Sequence, residues 1–213
     1  NRKYRVLVPS QGGILYNYSK NGEQVVGWKF EAMKSPITNK AKYLSISGKD
    51  YIYVVDGSGN ISVVGRNGKK RVKVNEIPIS EGFYLDNKFG YIYSSDSNGS
   101  VWLTKLDGTK SKIKTSELES HQFFAAKFND DEMIDLFISD GDKVECYNLE
   151  SKIMSFNVAT DKTPKVFQFK DKSILGISSN GYCHLYSSDE SPYTKKPLFG
   201  GGDFECVDKQ GEG

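Results

Sequence analysis

Five short apolar segments recur along the chain about every 40 residues, and this repeat limits the folds that the chain can adopt. Each segment follows a tight turn rich in Gly, Ser, Asn or Asp and precedes a second turn of similar composition. One apolar position in each segment serves as a marker, and the successive spacings are 47, 40, 43 and 39 residues. A period of about 40 residues is the length of one four-stranded propeller blade. The markers are Ile14, Ile61, Val101, Val144 and Cys183.

The residues between these turns have the composition of β-strands. In the second unit, four segments rich in Tyr, Ile and Val are bounded by Gly, Asp and Asn, which predicts strands joined by hairpins. No stretch shows the sustained 3.6-residue period of a helix. The predicted strands of the second to fifth units are 41–47, 50–55, 60–65 and 70–75; 82–86, 91–95, 101–106 and 111–115; 121–128, 135–139, 143–149 and 152–158; and 164–169, 173–178, 182–187 and 193–198.

The two ends of the chain complete the count of strands. The N-terminal residues supply three strands, 4–8, 13–18 and 24–30, and the C-terminal residues supply one more, 204–208. Pairing the first and last segments would remove exposed sheet edges. We therefore predict an all-β fold in one domain, 1–213: a five-bladed β-propeller of four-stranded antiparallel blades, closed by the C-terminal strand. The predicted blades are 1–30 plus 203–209, 41–75, 82–116, 121–158 and 164–199. A fragment of a larger propeller and an open repeat array are the alternatives.

The second unit carries a recognisable repeat motif. It reads Lys49-Asp-Tyr-Ile-Tyr-Val-Val-Asp56, then Ile61-Ser-Val-Val-Gly-Arg-Asn-Gly68 and Arg71-Val-Lys-Val74. This motif resembles an uncharacterised bacterial β-propeller family with WD40-like or PQQ-like repeats, and the other units resemble it more loosely. Quinone-binding repeats place Trp four residues after Gly, whereas Gly22 and Trp28 are six apart. The resemblance thus implies the fold but no quinone and no particular activity, and it favours the bacterial periplasm or cell envelope.

Charge and cysteine content restrict the function classes. The chain has 29 Lys and Arg against 27 Asp and Glu, a net charge of +2, which argues against nucleic-acid binding. No run of 18 uncharged apolar residues is present, so we expect no direct membrane insertion. Cys146, Cys183 and Cys206 are far apart, which argues against a disulfide framework or a Cys-rich zinc site. We expect buried free thiols, with one bridged pair as the alternative, and a monomer without a cofactor.

The predicted topology sorts charged loop residues onto two faces. The turn between the second and third strands of a blade shares a face with the connection to the next blade, and that face is acidic. The opposite face, which includes Arg66 and Arg71, is basic. Trp28 and Trp102 are predicted either to stack on a sugar or anchor a peptide, or to pack between blades. The candidate binding-face residues are Asp56, Asp96, Asp140, Asp142, Trp28 and Trp102. The alternative is that both faces are simply solvated.

A few residues have the side-chain chemistry of a catalytic or metal site. His121 opens a predicted strand near Glu117 and Glu119, so His121 and Glu119 are weak candidates for general base chemistry. The Asp-rich turn 56–60 and the run 129–135 contain oxygen ligands that suit calcium. Neither has the spacing of a known calcium loop, and Asp in a turn also bonds its own backbone. We therefore predict no metal site.

These observations predict a non-catalytic β-propeller that binds a protein, peptide or glycan partner, within a larger envelope-associated protein. One alternative is a carbohydrate-active enzyme, a glycosidase or lyase, with carboxylates near the central channel. Another is a purely architectural domain. Aligned strand positions also predict ten core residues: Ile14, Tyr16, Ile61, Val63, Val101, Leu103, Val144, Cys146, Cys183 and Leu185.

Overall fold

The regular structure of the chain is entirely β-strand wherever the computed structural model describes it. It describes residues 4–80, 82–86, 88–113, 120–129, 131, 133–149, 151–160, 162–170, 172–200 and 204–206. Within these ranges, no helix is long and apolar enough to cross a bilayer. The strands are β1 (Arg5–Pro9), β2 (Leu15–Ser19), β3 (Lys42–Ile46), β4 (Lys49–Val55), β5 (Ile61–Val64), β6 (Phe83–Leu85), β7 (Ile92–Ser95), β8 (Val101–Thr104), β9 (Lys110–Ile113), β10 (Gln122–Ala126), β11 (Asp135–Ser139), β12 (Val144–Tyr147), β13 (Lys152–Phe156), β14 (Lys165–Gln168), β15 (Ser173–Ser179), β16 (Tyr182–Ser187) and β17 (Leu198–Phe199).

Consecutive strands form five antiparallel sheets, as the repeat predicts. The sheets are β1-β2, β3-β4-β5, β6-β7-β8-β9, β10-β11-β12-β13 and β14-β15-β16-β17. The all-β class and a series of five short antiparallel sheets are thereby confirmed. Each sheet forms from neighbouring segments because short hairpins connect antiparallel strands directly.

The predicted strands 24–30 and 70–75 are wrong, and the backbone shows why. The predicted strand 193–198 is also displaced, because the strand found there is β17 (Leu198–Phe199). Segment 24–30 makes one bridge, between Tyr18 and Gln24, and then turns at Gly27, whose φ is +80°. Segment 70–75 follows β5 irregularly. The amide of Arg71 donates to the carbonyl of Val63, and the amide of Ile61 donates to that of Asn75. Four residues thus span a stretch that two residues of β5 cover, so the segment bulges and no regular ladder forms.

The chain divides into two compact units. The first contains Asn1–Asp96 and Trp102–Lys112, and the second contains Ser97–Val101 and Ile113–Gly213. Each unit has a buried core of its own. The assignment of one domain to 1–213 stays a prediction.

The core of the first unit is built around β4, which is buried on both faces. Ile52 and Val54 face one side, where they pack with Leu15 of β2. Tyr53 and Val55 alternate with them and face the other side, within the cluster that contains Phe83 of β6 and Ile92 of β7. This two-sided burial explains why β4 is a nearly continuous apolar run instead of an alternating one.

Aromatic side chains fill much of the core of the second unit. The rings of Phe124 and Phe137 stack with centroids 4.5 Å apart and an interplanar angle of 7°. Phe128 meets Phe137 edge to face at 5.6 Å, and Phe156 lies against Tyr186 at 4.8 Å. These offset and edge contacts are the geometries that aromatic quadrupoles favour.

Seven of the ten predicted core residues are buried, and the other three are half-buried. In β2 the prediction for Ile14 and Tyr16 is wrong, because Leu15 and Asn17 point inward instead. The amide of Ser10 pairs with the carbonyl of Ile14, so the turn before β2 is one residue longer than the alignment assumed. A one-residue slip moves every side chain of a strand to the opposite face.

The cysteines are all free thiols. Cys146 and Cys183 are buried, as expected, and Cys206 is half-buried. Burial raises the pKa of Cys183 to about 11, and it raises the pKa of Cys146 further. These thiols are therefore protonated and unreactive at neutral pH.

One hairpin turn recurs in four of the sheets. The first amide of each turn donates to the fifth carbonyl, and the fourth amide donates back to the first carbonyl. The fourth residue has positive φ in every case and is Gly in all but the last turn, where it is Glu190; this is the geometry of a hairpin with a bulge. The turns are 10–14, 19–23, 56–60, 65–69, 105–109 and 187–191.

A second recurring bond joins the turn between the predicted second and third strands to the segment that comes after the sheet, and it is found in four of the five sheets. The turn glycine accepts a backbone hydrogen bond of 2.8–3.0 Å from a residue 18 to 20 positions downstream. This bond places the turn and the following connection together, as the predicted face assignment requires. The donor and acceptor pairs are Met33 and Gly13, Ile77 and Gly59, Thr160 and Gly141, and Gly200 and Gly181.

The predicted closure of the ring is not confirmed. Among the described strands, β1 pairs with β2 alone. Residues 204–206 are not a strand, and the last two residues of the predicted closing strand, Val207 and Asp208, lie outside the described residues. Instead, the ring of Phe204 packs 5.6 Å from that of Phe167 and fills the space beside Gly176, where a Cβ would lie 2.5 Å from it.

We expect Gly68→Ala to lower the free energy of unfolding more than Gly22→Ala. Both glycines occupy the fourth turn position with φ near +80°, so both variants carry the same backbone strain. A Cβ at Gly68 would also lie 2.9 Å from the amide nitrogen of Phe30, whereas Gly22 has open space around it. The extra loss is about 1–3 kcal/mol, the usual cost of overpacking. Urea titration followed by tryptophan fluorescence measures it, and equal losses would contradict the crowding at Gly68.

Candidate functional site

Asp56, a predicted binding-face residue, is completely buried. Its Oδ1 accepts hydrogen bonds from the amides of Ser58 and Asn60 at 2.9 and 3.0 Å. Its Oδ2 accepts from the amide of Ser35 at 3.2 Å and from Nδ2 of Asn60 at 2.8 Å. The carboxylate thus stabilises its own turn and the connection beside it. An Asp-rich turn sequence is compatible with this structural role as well as with ligand binding.

The other predicted aspartates differ in how they are used. Asp140 accepts from the amides of Asp142 and Lys143, both at 3.0 Å, and so stabilises its own turn. Asp96 accepts from the indole N–H of Trp102 at 2.8 Å. Asp142 is exposed. The contact role of these four residues stays a prediction.

The structure describes only one member of the candidate catalytic pair His121 and Glu119. His121 is buried and lies directly before β10. Glu117 and Glu119 lie outside the described residues. The assignment of His121 and Glu119 to general base chemistry therefore stays a prediction.

Two buried carboxylates outside the predicted site are held by internal partners. Asp135 accepts from the amides of Phe128 and Asn129 at 2.8 and 3.2 Å; burial nevertheless raises its pKa. Glu145 is 1% exposed and accepts from Lys143, Lys152 and Tyr147. Its three contacts measure 3.0, 3.1 and 2.8 Å. Each carboxylate stabilises the strands around it.

Lys42 is the described base whose pKa shifts most. Burial lowers the pKa of its amine to about 8. The amine donates to the backbone carbonyl of Phe83 and lies 4.1 Å from the centroid of the Phe83 ring. These contacts bind β3 to β6, and they give Lys42 a role in packing.

Trp28 both packs in the core and lines a cavity. Its indole N–H donates to the carbonyl of Leu15 at 2.7 Å, which fixes the orientation of the ring. The ring stacks on Phe30 with an interplanar angle of 5° and packs against the buried cluster that contains Leu15 and Ile52. Trp28 therefore packs between two sheets, and part of its side chain remains at the surface. Its predicted role as a binding-face residue stays a prediction.

The cavity beside Trp28 has a volume of about 370 Å³ and lies within the first unit. Three arginines and two valines line it together with the indole, and Val26 is 99% exposed at its rim. We call it the Trp28 pocket. Its main residues are Arg5, Val25, Val26, Trp28, Arg66 and Arg71.

Three separate segments of the chain build the Trp28 pocket. Arg5 lies on β1, Trp28 lies after the turn at Gly27, and Arg66 lies in the hairpin turn after β5. The amide of Lys29 donates to the carbonyl of Asn67 at 2.9 Å, which attaches the hairpin to the segment that carries Trp28. The tight approach at Gly68 allows this contact.

Asp50 organises the charges at the pocket. Nε of Arg66 lies 2.5 Å from Oδ2 of Asp50, and the hydroxyl of Tyr43 donates to Oδ1 at 2.8 Å. Burial raises the pKa of Asp50, but the hydrogen bonds from Arg66 and Tyr43 and the charges of Arg66 and Arg71 outweigh it. The net result is a pKa below the ordinary value, so the carboxylate is ionised at neutral pH and holds Arg66 in place.

The sequence groups Trp28 with the aspartates of the acidic face, whereas the structure places it with arginines. Arg66 and Arg71 are predicted on the basic face, and no sequence pattern marks Arg5. The signal that indicates this site is the cationic hairpin 66–71. Its proximity to Trp28 depends on packing between two sheets, which no local pattern reports.

Comparison with known proteins supports the fold alone. No model of a known protein family matches the sequence, and no curated protein matches it. Two crystal structures of BBS1N in complex with ARL6DN, soaked with lead and with mercury, match with TM-scores of 0.57 and 0.56 at 10% and 12% identity. Both matches cover 92% of this chain but only 63% and 64% of the BBS1N chains, less than two thirds of their length.

A protein of unknown function from Bacteroides caccae matches with a TM-score of 0.48 at 14% identity, over 92% of this chain and 77% of that one. The BBS1N structures support a β-propeller-like fold. The resemblance to WD40-like or PQQ-like repeats stays a prediction, because no family model carries it.

We expect Asp56→Ala to destabilise the protein and Asp142→Ala to leave its stability unchanged. Removing the buried Asp56 carboxylate leaves three partly buried amides without their acceptor, which costs about 1–3 kcal/mol. Asp142 is exposed, and we expect a change within about 0.5 kcal/mol. Urea titration measures both values. A neutral Asp56→Ala variant would contradict the structural role of that carboxylate.

Proposed function

We propose that this chain is a non-catalytic protein-binding domain, and that its partner contacts the Trp28 pocket. The observation that carries the proposal is the combination of one tryptophan and three arginines among the residues that line a single surface cavity. Trp and Arg are the residues most enriched in the energetic centres of protein interfaces. The almost fully exposed Val26 adds apolar surface at the rim, which association would remove from water.

The fold supports a protein partner in particular. BBS1N, whose fold is similar, was crystallised in complex with ARL6DN. That complex is a precedent for a chain of this fold binding another protein, and it favours a protein or peptide over a glycan here.

The finer features of the fold belong to the same proposal. Five sheets with recurring turns support a five-bladed propeller. The WD40-like repeat type and closure of the ring by segment 204–208 are further parts of the proposal. Asp96, Asp140, Asp142 and Trp102 are proposed as secondary contact residues, with Asp142 the most accessible of the predicted binding-face aspartates. The proposed protein acts as a monomer without a cofactor, in the bacterial periplasm or envelope.

A peptide array tests the proposed function. The array carries peptides that are uncharged, acidic, basic or phosphorylated, and the fluorescently labelled protein is applied at several concentrations. We expect a subset of peptides to bind the wild-type chain and to lose about tenfold or more in affinity for a Val26→Glu variant. The new carboxylate would engage the arginines of the pocket, and the fold is preserved because Val26 makes almost no buried contact.

Phe199→Glu is the matched control. Phe199 is 90% exposed and belongs to the second compact unit, so this variant also replaces an exposed apolar side chain with a carboxylate. Its peptide profile should equal that of the wild-type chain. Peptides that bind all three proteins equally would overturn the Trp28 pocket as the contact surface, and an array with no binding would overturn the proposed function.

A further inference from the structure

We propose that the Trp28 pocket recognises a phosphate monoester carried on an aromatic or apolar body, such as the side chain of a phosphotyrosine. This inference rests on the proposed function, because it names the chemistry of the ligand that the same pocket takes. It goes beyond that function in requiring a doubly charged oxyanion.

The charge of the pocket calls for an anion with two charges. None of the lining residues is acidic, and three are arginines, which stay protonated at all ordinary pH values. Asp50 offsets one positive charge through its salt bridge with Arg66. Neither Arg5 nor Arg71 forms a salt bridge with any described residue. The local excess is therefore two positive charges.

Arg66 is held in position before any ligand arrives. Its salt bridge with Asp50 uses Nε, one of the five N–H groups that a guanidinium can donate. Asp50 is 9% exposed and is itself fixed by the hydroxyl of Tyr43. The side chain of Arg66 is otherwise 82% exposed, so the salt bridge restrains Nε while the side chain stays accessible to a ligand.

Arg71 lies beside an aromatic ring and across a glycine. Its guanidinium carbon is 5.3 Å from the centroid of the Tyr51 ring, a cation–π contact. The same group lies across Gly65, where an added Cβ would be 2.8 Å from one terminal nitrogen and 3.0 Å from Nε. A cation–π contact does not consume the N–H donors of a guanidinium, which can therefore serve an oxyanion.

Trp28 and the two valines supply an apolar wall beside these cations. The indole is held by its hydrogen bond to Leu15 and by the parallel Phe30 ring. A cavity of about 370 Å³ is within the range of small-molecule sites, and a bare phosphate would fill a minor part of it. The ligand therefore has an apolar or aromatic portion, for which Trp28 is a stacking partner.

A phosphate monoester fits this pocket better than a carboxylate does. A phosphate monoester carries between 1.5 and 2 negative charges at about pH 7 and has three strong acceptor oxygens. A carboxylate carries one charge and two oxygens, which would leave part of the positive excess unmatched. Arginine clusters recognise phosphorylated side chains through bidentate hydrogen bonds of this kind.

Isothermal titration calorimetry with phenyl phosphate tests the inference on the full chain. We expect phenyl phosphate to bind at least about tenfold more tightly than inorganic phosphate, which lacks the ring, and than benzoate, which lacks the second charge. Phenol should show no binding. Equal affinity for benzoate and phenyl phosphate would overturn the inference, and so would a failure of phenyl phosphate to bind.

Two double variants distinguish the contribution of the pocket arginines from that of positive charge elsewhere on the same unit. Arg5→Gln combined with Arg71→Gln leaves the Asp50 salt bridge intact and should weaken phenyl phosphate binding about 100-fold, as expected for two charge-assisted hydrogen bonds. The control, Lys20→Gln combined with Lys88→Gln, removes two exposed charges from the same unit and should bind like the wild-type chain. Equal losses in both variants would overturn the site.

Gly65→Ala displaces Arg71 without changing any charge. The new methyl group occupies the place of the guanidinium, and affinity should fall about fivefold or more while the circular dichroism spectrum stays unchanged. Unchanged affinity would show that Arg71 does not contact the ligand.

The pH dependence identifies the dianion. Because the second proton of a phosphate monoester leaves near pH 6, affinity should rise about tenfold between about pH 5 and about pH 7.5. None of the lining residues is a His or an acid, so the pocket itself does not titrate in this range. A flat profile would contradict recognition of the dianion.

A last comparison identifies the source of the phosphate. A phosphotyrosine peptide that binds more tightly than phenyl phosphate assigns the ligand to a protein, whereas a tighter nucleoside monophosphate assigns it to a free metabolite. Peptides that bind at Trp28 only without phosphate would overturn this inference and leave the proposed function standing. Binding of phenyl phosphate with no binding of any peptide would overturn the proposed function and leave this inference standing.

Discussion

The hydrogen bond between each turn glycine and the segment about 19 residues downstream is the constraint on which the rest of the fold depends. It recurs at Gly13, Gly59, Gly141 and Gly181, so that four of the sheets are joined to their downstream connections in the same way. At Gly59 a Cβ would lie 2.8 Å from the carbonyl of Ile77, and only glycine permits that approach. One local backbone requirement therefore imposes the same repeat on strands of different sequence.

Packing between sheets then determines which polar groups remain available to a partner. Asp56 begins one of these glycine turns, and its carboxylate accepts hydrogen bonds from the amides of that turn. This predicted binding-face residue therefore has a structural role. The hairpin at the other end of the same sheet, 65–69, bonds to its own residues and, through the carbonyl of Asn67, to the amide of Lys29. None of these bonds uses the side chain of Arg66, which remains mostly exposed and pairs with Asp50.

Local patterns predicted most of the strands because hairpins form between neighbouring segments. The run from Lys49 to Asp56 predicted β4 because a strand buried on both faces reads as a continuous apolar segment. The predictions failed where the backbone leaves the ladder, at Gly27 and in the bulge after Arg71. The slip at Ile14 arose because the turn before β2 extends through Ile14, with the same backbone bonds as the turn 56–60 before β5, whereas the alignment ended it at Gly13.

The sequence by itself determined the all-β class, the five repeated sheets and the recurring turns, because each of these depends on hydrogen bonds between residues close in the chain. Only the tertiary structure decided that Asp56 is buried and that Trp28 lies beside Arg5, Arg66 and Arg71. Those residues come from segments far apart in sequence. Their proximity depends on how neighbouring sheets pack, and side-chain packing across sheets leaves no periodic trace in the chain.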